Sequence, residues 1–137
     1  MKNIDKKKLV DMATAVSERA YSPYSGFCVG AALLCDDGEI FLGANVENSS
    51  YGGAICAERV AFCSANAAGK RDFTAIAIIG HRRGEGIVDF CAPCGICRQF
   101  MSELTDKDFS ILLYDGEEIR EYTMGELLPV SFDKSLI

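Results

Sequence analysis

The chain has 137 residues, 49% hydrophobic and 25% charged. That length suits one domain, since a single core commonly serves roughly 100 to 200 residues, and the composition excludes intrinsic disorder. Fourteen Lys and Arg against twenty Asp and Glu leave a net charge of −6, which argues against nucleic acid or an anionic lipid surface as partner.

In chain order, Asp5 is placed to cap a helix whose apolar positions Leu9, Met12, Ala13, Val16 and Ala20 recur at helical spacing, with Pro23 and Gly26 closing it. Residues 28–35 form an apolar run ending at Asp36, Asp37 and Gly38, and 39–45 is strand-like again, so the pair predicts a hairpin. Residues 46–55, rich in Asn, Ser and Gly, predict a loop, and loops on a rigid scaffold carry sites. The alanine-rich stretch 56–68, stopped by Gly69, predicts a second helix. Residues 73–80 read as a strand covered on both faces, and 81–90 as a polar, glycine-containing stretch. Pro93 precedes a third helix over 94–104. Two strands, 110–114 and 119–123, flank a turn at Asp115 and Gly116, and a short amphipathic end at 124–128 is stopped by Pro129. The order α-β-β-α-β-α-β-β favours one mostly buried sheet with helices on both faces.

No apolar run approaches the ~20 residues of a bilayer span. Residues 1–10 carry lysines but no following apolar stretch or cleavage site, so no leader is expected and the predicted location is the cytoplasm. Seven cysteines (28, 35, 56, 63, 91, 94 and 97) in a reducing compartment point to metal binding or catalysis more than to disulfides.

Two segments stand out: Cys56-Ala57-Glu58-Arg59 opens the second helix, and Pro93-Cys94-Gly95-Ile96-Cys97 opens the third. Exposed N–H groups and the macrodipole at helix N-termini stabilise thiolates, the form that binds metal. Cys94 and Cys97 share one face of a first turn, and Cys56 would complete three protein ligands, an arrangement that leaves a fourth zinc position for water. Glu58 lies near enough for its carboxylate to carry a proton from such a water to a substrate. Three thiolates and Zn²⁺ sum to −1, which Arg59 would offset by donating to the sulfurs. Taken alone, Cys94-x-x-Cys97 also fits a structural zinc knuckle or a redox pair. Cys91 extends the run toward an iron–sulfur spacing, but the C-x₃-C-P continuation is missing. Cys28, Cys35 and Cys63 lie in apolar segments and are expected in the core, while His81 is expected to be an exposed loop residue.

Cys-Ala-Glu followed by Pro-Cys-x-x-Cys resembles the three-cysteine form of the zinc-deaminase signature. With Ser22-Pro23-Tyr24-Ser25-Gly26-Phe27, Gly43-Ala44-Asn45-Val46-Glu47-Asn48 and the continuation Arg98-Gln99, the match spans nearly the whole chain, and it is to the small homotetrameric cytidine deaminases. The resemblance implies a three-layer α-β-α sandwich with a mixed sheet of about five strands, spanning 1–137 as one catalytic domain. It implies zinc-dependent deamination of cytidine and 2′-deoxycytidine to the uridines. Cys56, Cys94 and Cys97 would hold one zinc per subunit, Glu58 would shuttle protons, and Asn45 and Glu47 would hydrogen-bond the ribose. Phe27 would contact the pyrimidine, and Phe132 would pack on the base in a neighbouring subunit's site. Taken singly, Glu58 would be a solvated carboxylate, Asn45 and Glu47 turn residues, and Phe27 and Phe132 core or interface aromatics. The family often has a lysine at the position of Gly26 and a proline at that of Cys28, and 81–90 matches no motif. Competing readings are a deaminase of another aminopyrimidine such as blasticidin S, and a non-enzymatic zinc-stabilised interaction domain.

Overall fold

A computed structural model describes residues 3–137. Met1 and Lys2, the start of the stretch expected to hold no leader, lie outside the described residues. Helix α1 (Lys6–Ser17) is followed by strands β1 (Phe27–Cys35) and β2 (Ile40–Ala44), helix α2 (Ala57–Ala67), strand β3 (Phe73–Arg82), helix α3 (Gly95–Leu104), strands β4 (Ser110–Tyr114) and β5 (Ile119–Thr123), and helix α4 (Met124–Leu127). The five strands form one sheet in the order β2-β1-β3-β4-β5, with β3 and β4 parallel and every other neighbouring pair antiparallel. This is the mixed sheet of about five strands that the family resemblance implies. No helix among the described residues is long and apolar enough to cross a membrane.

Strand alternation divides the core into two halves. Ala31, Leu33 and Cys35 of β1, Ile76 and Ile78 of β3, and Ile111 and Leu113 of β4 pack with α2 and with Met101 of α3. Ala32, Ala75, Ala77, Ile79 and Leu112 face the other way and pack on Leu9, Val10 and Ala13 of α1. The three layers are therefore α1, the sheet, and α2 with α3. Gly30 and Gly43 make the close approach possible, one on each face. A Cβ on Gly30 would sit 1.9 Å from the Ala13 carbonyl oxygen, and one on Gly43 would sit 2.3 Å from that of Ala57. Phe62, fully buried on α2, meets the Phe73 ring edge-on at 5.1 Å, an arrangement worth about 0.5–1.5 kcal/mol beyond area burial.

The local signals act as expected at most ends. Asp5 accepts the Lys8 amide at 3.1 Å to cap α1, and Gly69, at φ +85°, follows α2. Helix α1 nevertheless stops at Ser17, well before Pro23, because the chain must turn back to pair Tyr21 with Val46.

Two expectations are corrected. His81 is not an exposed loop residue: β3 continues through it to Arg82, and it is 5% exposed, with Nε2 2.9 Å from Ser17 Oγ and Nδ1 2.9 Å from the Arg82 carbonyl. Cys63 is exposed rather than in the core, because α2 buries Ala57, Glu58, Ala61, Phe62 and Ala65, and Cys63 falls on the opposite face. Cys28 and Cys35 are buried as expected.

Candidate active site

Helices α2 and α3 begin at the end of the sheet where β1 starts and β3 finishes. Cys56 and Cys94 occupy their N-cap positions, with extended backbones and no side-chain capping bond, so both sulfurs are free for another partner. Cys97, one turn into α3, is fully buried. The three Sγ atoms lie within 4.8 Å of one another, with Cys56 and Cys94 3.8 Å apart. Four ligands at the usual zinc–sulfur bond length of about 2.3 Å would be about 3.8 Å apart along a tetrahedron's edge, so the donor set fits a three-thiolate zinc centre. The Cys56 thiol is drawn down to about 5 by a hydrogen bond from Cys97, with Arg59 assisting against the effect of burial. Cys97 is pushed up by the same shared hydrogen bond.

Glu58 is 3% exposed, and burial is the main cause that raises its carboxyl to about 7, with the neighbouring Cys56 adding to it. A carboxyl poised there can exist in either protonation state near neutral pH, which general acid–base work requires. Arg59 Nη2 lies 3.8 Å from Cys56 Sγ and 3.5 Å from the Ala54 carbonyl. Its Nε is buried with no hydrogen-bond acceptor, so the guanidinium retains an unused donor beside the sulfurs.

Asn45 and Glu47 follow β2. The Asn45 amide spans the start of β1, its Oδ1 taking the Val29 N–H at 2.8 Å and its Nδ2 donating to the Phe27 carbonyl at 3.0 Å. One N–H and one lone pair remain for a ligand. Glu47 Oε1 accepts from the backbone N–H groups of Tyr24 and Ser25 at 3.0 and 3.1 Å, and Oε2 accepts from the Ser25 hydroxyl. These bonds, that from the Ser25 side chain foremost, hold the carboxyl below its ordinary value, so it is ionised at neutral pH. Of its roughly four acceptor positions one stays open. Tyr24, Ser25, Glu47, Asn48, Tyr51 and Ala54 line a cavity of about 310 Å³.

Phe27 opens β1 and is 37% exposed. Its ring lies over Gly80 on β3, where an added Cβ would sit 2.8 Å from both the ring and Cys91 Sγ. Cys91 is thus a packing neighbour of Phe27, and burial pushes its thiol up to about 12. Phe132 is 61% exposed, and its carbonyl accepts from Gln99 Nε2 at 3.2 Å. The chain therefore brings Cys56, Cys94, Cys97, Glu58 and Arg59 together, sets Asn45 and Glu47 against the 18–26 loop, and leaves the Phe132 ring open to solvent.

Two arginines escaped the sequence reading as individual residues. Arg98 donates to the Pro93 carbonyl at 2.7 Å and the Leu127 carbonyl at 2.9 Å, fixing the backbone just ahead of Cys94. Its place one turn after Cys94 was the available signal. Arg83 reaches the 18–26 loop, more than sixty residues back in the chain, and no local pattern announces that contact.

Residues 3–113 match a family model described as the cytidine and deoxycytidylate deaminase zinc-binding region. A cytidine deaminase of Halalkalibacterium halodurans is 44% identical over 130 residues, covering 94% of this chain and 95% of its own length. One from Sporosarcina psychrophila is 41% identical over 132 residues, covering 96% and 93%. The crystal structure of a cytidine deaminase from Burkholderia pseudomallei matches with a TM-score of 0.85 at 45% identity, covering 94% of this chain and all of that one. A zinc-binding profile over most of the sequence, close relatives along nearly its whole length and a shared three-layer fold establish that the chain belongs to the cytidine deaminase family.

Proposed function

We propose that this enzyme hydrolyses cytidine and 2′-deoxycytidine to uridine and 2′-deoxyuridine, with residues 1–137 acting as one catalytic domain in the cytoplasm. The observation that carries the reading is a buried carboxyl, Glu58, beside three cysteine sulfurs gathered at two helix N-termini. Cys56, Cys94 and Cys97 are the residues that hold zinc. When bound, zinc supplies Lewis-acid activation of a water molecule.

The remaining steps belong to the protein's own groups. Glu58 takes a proton from the attacking water and delivers it to N3 of the pyrimidine. The C4–O bond forms, Glu58 then moves the proton of the new C4 hydroxyl to N4, and the C4–N4 bond breaks as C4=O forms, so one water is consumed and one ammonia released. Arg59 offsets the excess negative charge of three thiolates. Asn45, with its remaining N–H, and Glu47, with its open acceptor position, receive the ribose hydroxyls, and the Phe27 ring bounds the base. An ionised Glu47 at the sugar end repels a phosphate, and a net charge of −6 disfavours polynucleotides, so the substrate is a free nucleoside. The exposed Phe132 closes the base pocket of a neighbouring subunit in a homotetramer, excluding water from the reacting centre.

The test is ammonia release from cytidine, deoxycytidine, cytidine monophosphate and blasticidin S under identical conditions. The two nucleosides should turn over and the monophosphate should lag far behind. Preferential turnover of blasticidin S or of the monophosphate would overturn the substrate assignment.

A further inference from the structure

The 18–26 segment leaves α1 at Ser17 and enters β1 at Phe27, and it is held from two sides. On one side stands the segment after β2. The Tyr21 N–H donates to the Asn45 carbonyl at 2.9 Å, the Glu47 N–H donates to the Tyr21 carbonyl at 2.8 Å, and the Glu47 carboxylate takes its bonds from Tyr24 and Ser25. On the other side stands the end of β3. Arg83 Nη2 donates to the Ala20 carbonyl at 2.6 Å and lies 3.2 Å from Ser22 Oγ, while the Arg83 backbone N–H donates to the Gly26 carbonyl at 2.8 Å. His81, two residues earlier, reaches Ser17 at the root of the same segment.

We propose that Arg83 is a positioning residue for substrate binding: it anchors the 18–26 loop to the end of β3 and so fixes the Glu47 carboxylate that the loop holds. The inference rests on the reading that Glu47 receives the sugar. The chain of causes is geometric. Strand β3 pairs with β1 right up to Arg82 and with β4 over Ala75–Ile78, and it is buried along most of its length, so its end, held by β1, is a firm reference point. Loop N–H and hydroxyl groups occupy three of the acceptor positions on Glu47, so the direction of the open one is set by where the loop lies. Without the Arg83 side chain the loop would keep its backbone bonds at Tyr21 and Gly26 but lose the side-chain anchor on Ala20 and Ser22. Arg83, by bridging a carbonyl and a hydroxyl near the loop's opposite flank, fixes the loop independently of Glu47. Both contacts come from one nitrogen, Nη2, whose two N–H groups are fixed in the guanidinium plane, a geometry that a lysine ammonium on a flexible stem meets less well. Small misplacements of a binding group are costly, and because Arg83 acts at the sugar end, away from the proton-carrying Glu58, its loss should fall on KM rather than on kcat.

The experiment compares Arg83→Ala, Arg83→Lys, Glu47→Gln and the double variant Arg83→Ala/Glu47→Gln as zinc-loaded enzymes with cytidine. It also follows hydrogen exchange at the Tyr24 and Ser25 amides. Arg83→Ala should raise KM roughly tenfold, the consequence of losing a charged hydrogen bond, with kcat within about twofold and zinc content unchanged. Arg83→Lys should fall between parent and Ala, and the double variant should be little worse than Glu47→Gln, since both changes remove one arrangement. Exchange at Tyr24 and Ser25 should speed up in Arg83→Ala. Strict additivity, a loss confined to kcat, or a KM unmoved by Arg83→Ala while Glu47→Gln raises it would overturn the proposal. If Glu47→Gln leaves KM unchanged, it is the sugar contact that fails; amide exchange then decides Arg83 separately, and unchanged exchange overturns its anchoring role.

Discussion

Removing Arg59 should weaken the hold on zinc by a predictable amount. The guanidinium lies 3.8 Å from Cys56 Sγ, and at an effective dielectric constant of about 20 two unit charges at that distance attract by about 4 kcal/mol before the cost of desolvation. Hydrogen bonds to charged groups net about 1.5–3 kcal/mol, and groups that support metal ligands typically govern 10- to 100-fold in affinity. Arg59→Ala should therefore lower zinc affinity roughly 10- to 100-fold in a chelator competition, with helix content preserved. Arg59→Gln keeps a donor and should be milder, and Arg59→Lys, which keeps the charge without the fork, should lie between parent and Ala. Parent-like affinity in both the Ala and the Lys variants would mean that Arg59 neither neutralises nor orients the thiolates.

Glu58→Gln should retain one zinc per chain and lose roughly 10²- to 10⁴-fold in kcat, and near-normal turnover of the zinc-loaded variant would remove the proton-carrier role. Gly43→Ala would place a Cβ 2.3 Å from the Ala57 carbonyl, so α2 must lift from the sheet and carry Cys56 with it. A stability loss of about 1–3 kcal/mol in denaturant melts, with weaker zinc binding, is expected, and unchanged values would contradict the packing. Phe132→Ala should raise KM roughly two- to tenfold through a lost aromatic contact, and mixing it with inactive Glu58→Gln subunits should restore some activity in hybrid sites. A fully active monomer by sedimentation would exclude the shared site.

Much of this architecture is legible in the sequence because its signals are local. Asp5, Gly69, Pro93 and the Asp36-Asp37-Gly38 turn mark element ends within three or four residues, and the two cysteine segments announce the metal centre through their helix-start positions. Periodicity held an answer for Cys63 as well: Ala57, Ala61 and Ala65 define the buried stripe of α2, and Cys63 lies off it. His81 was beyond local reach. Its partner Ser17 is 64 residues away, and a polar residue ending an apolar strand resembles a loop residue until the β1–β3 register and the end of α1 are known. The burial of Glu58 was hidden for a similar reason, since a carboxylate in a first helical turn is ordinarily solvated, and only the packing of α2 and α3 on one sheet face encloses it. The sheet order and the direction of β5 likewise depend on pairings that no single segment encodes.

The most direct test is zinc-edge X-ray absorption on the purified protein. A three-thiolate catalytic centre predicts three sulfur neighbours at about 2.3 Å and one oxygen or nitrogen at about 2.0 Å. A shell of four sulfurs would contradict it, because a fourth thiolate would close the position the reaction needs and make the centre structural.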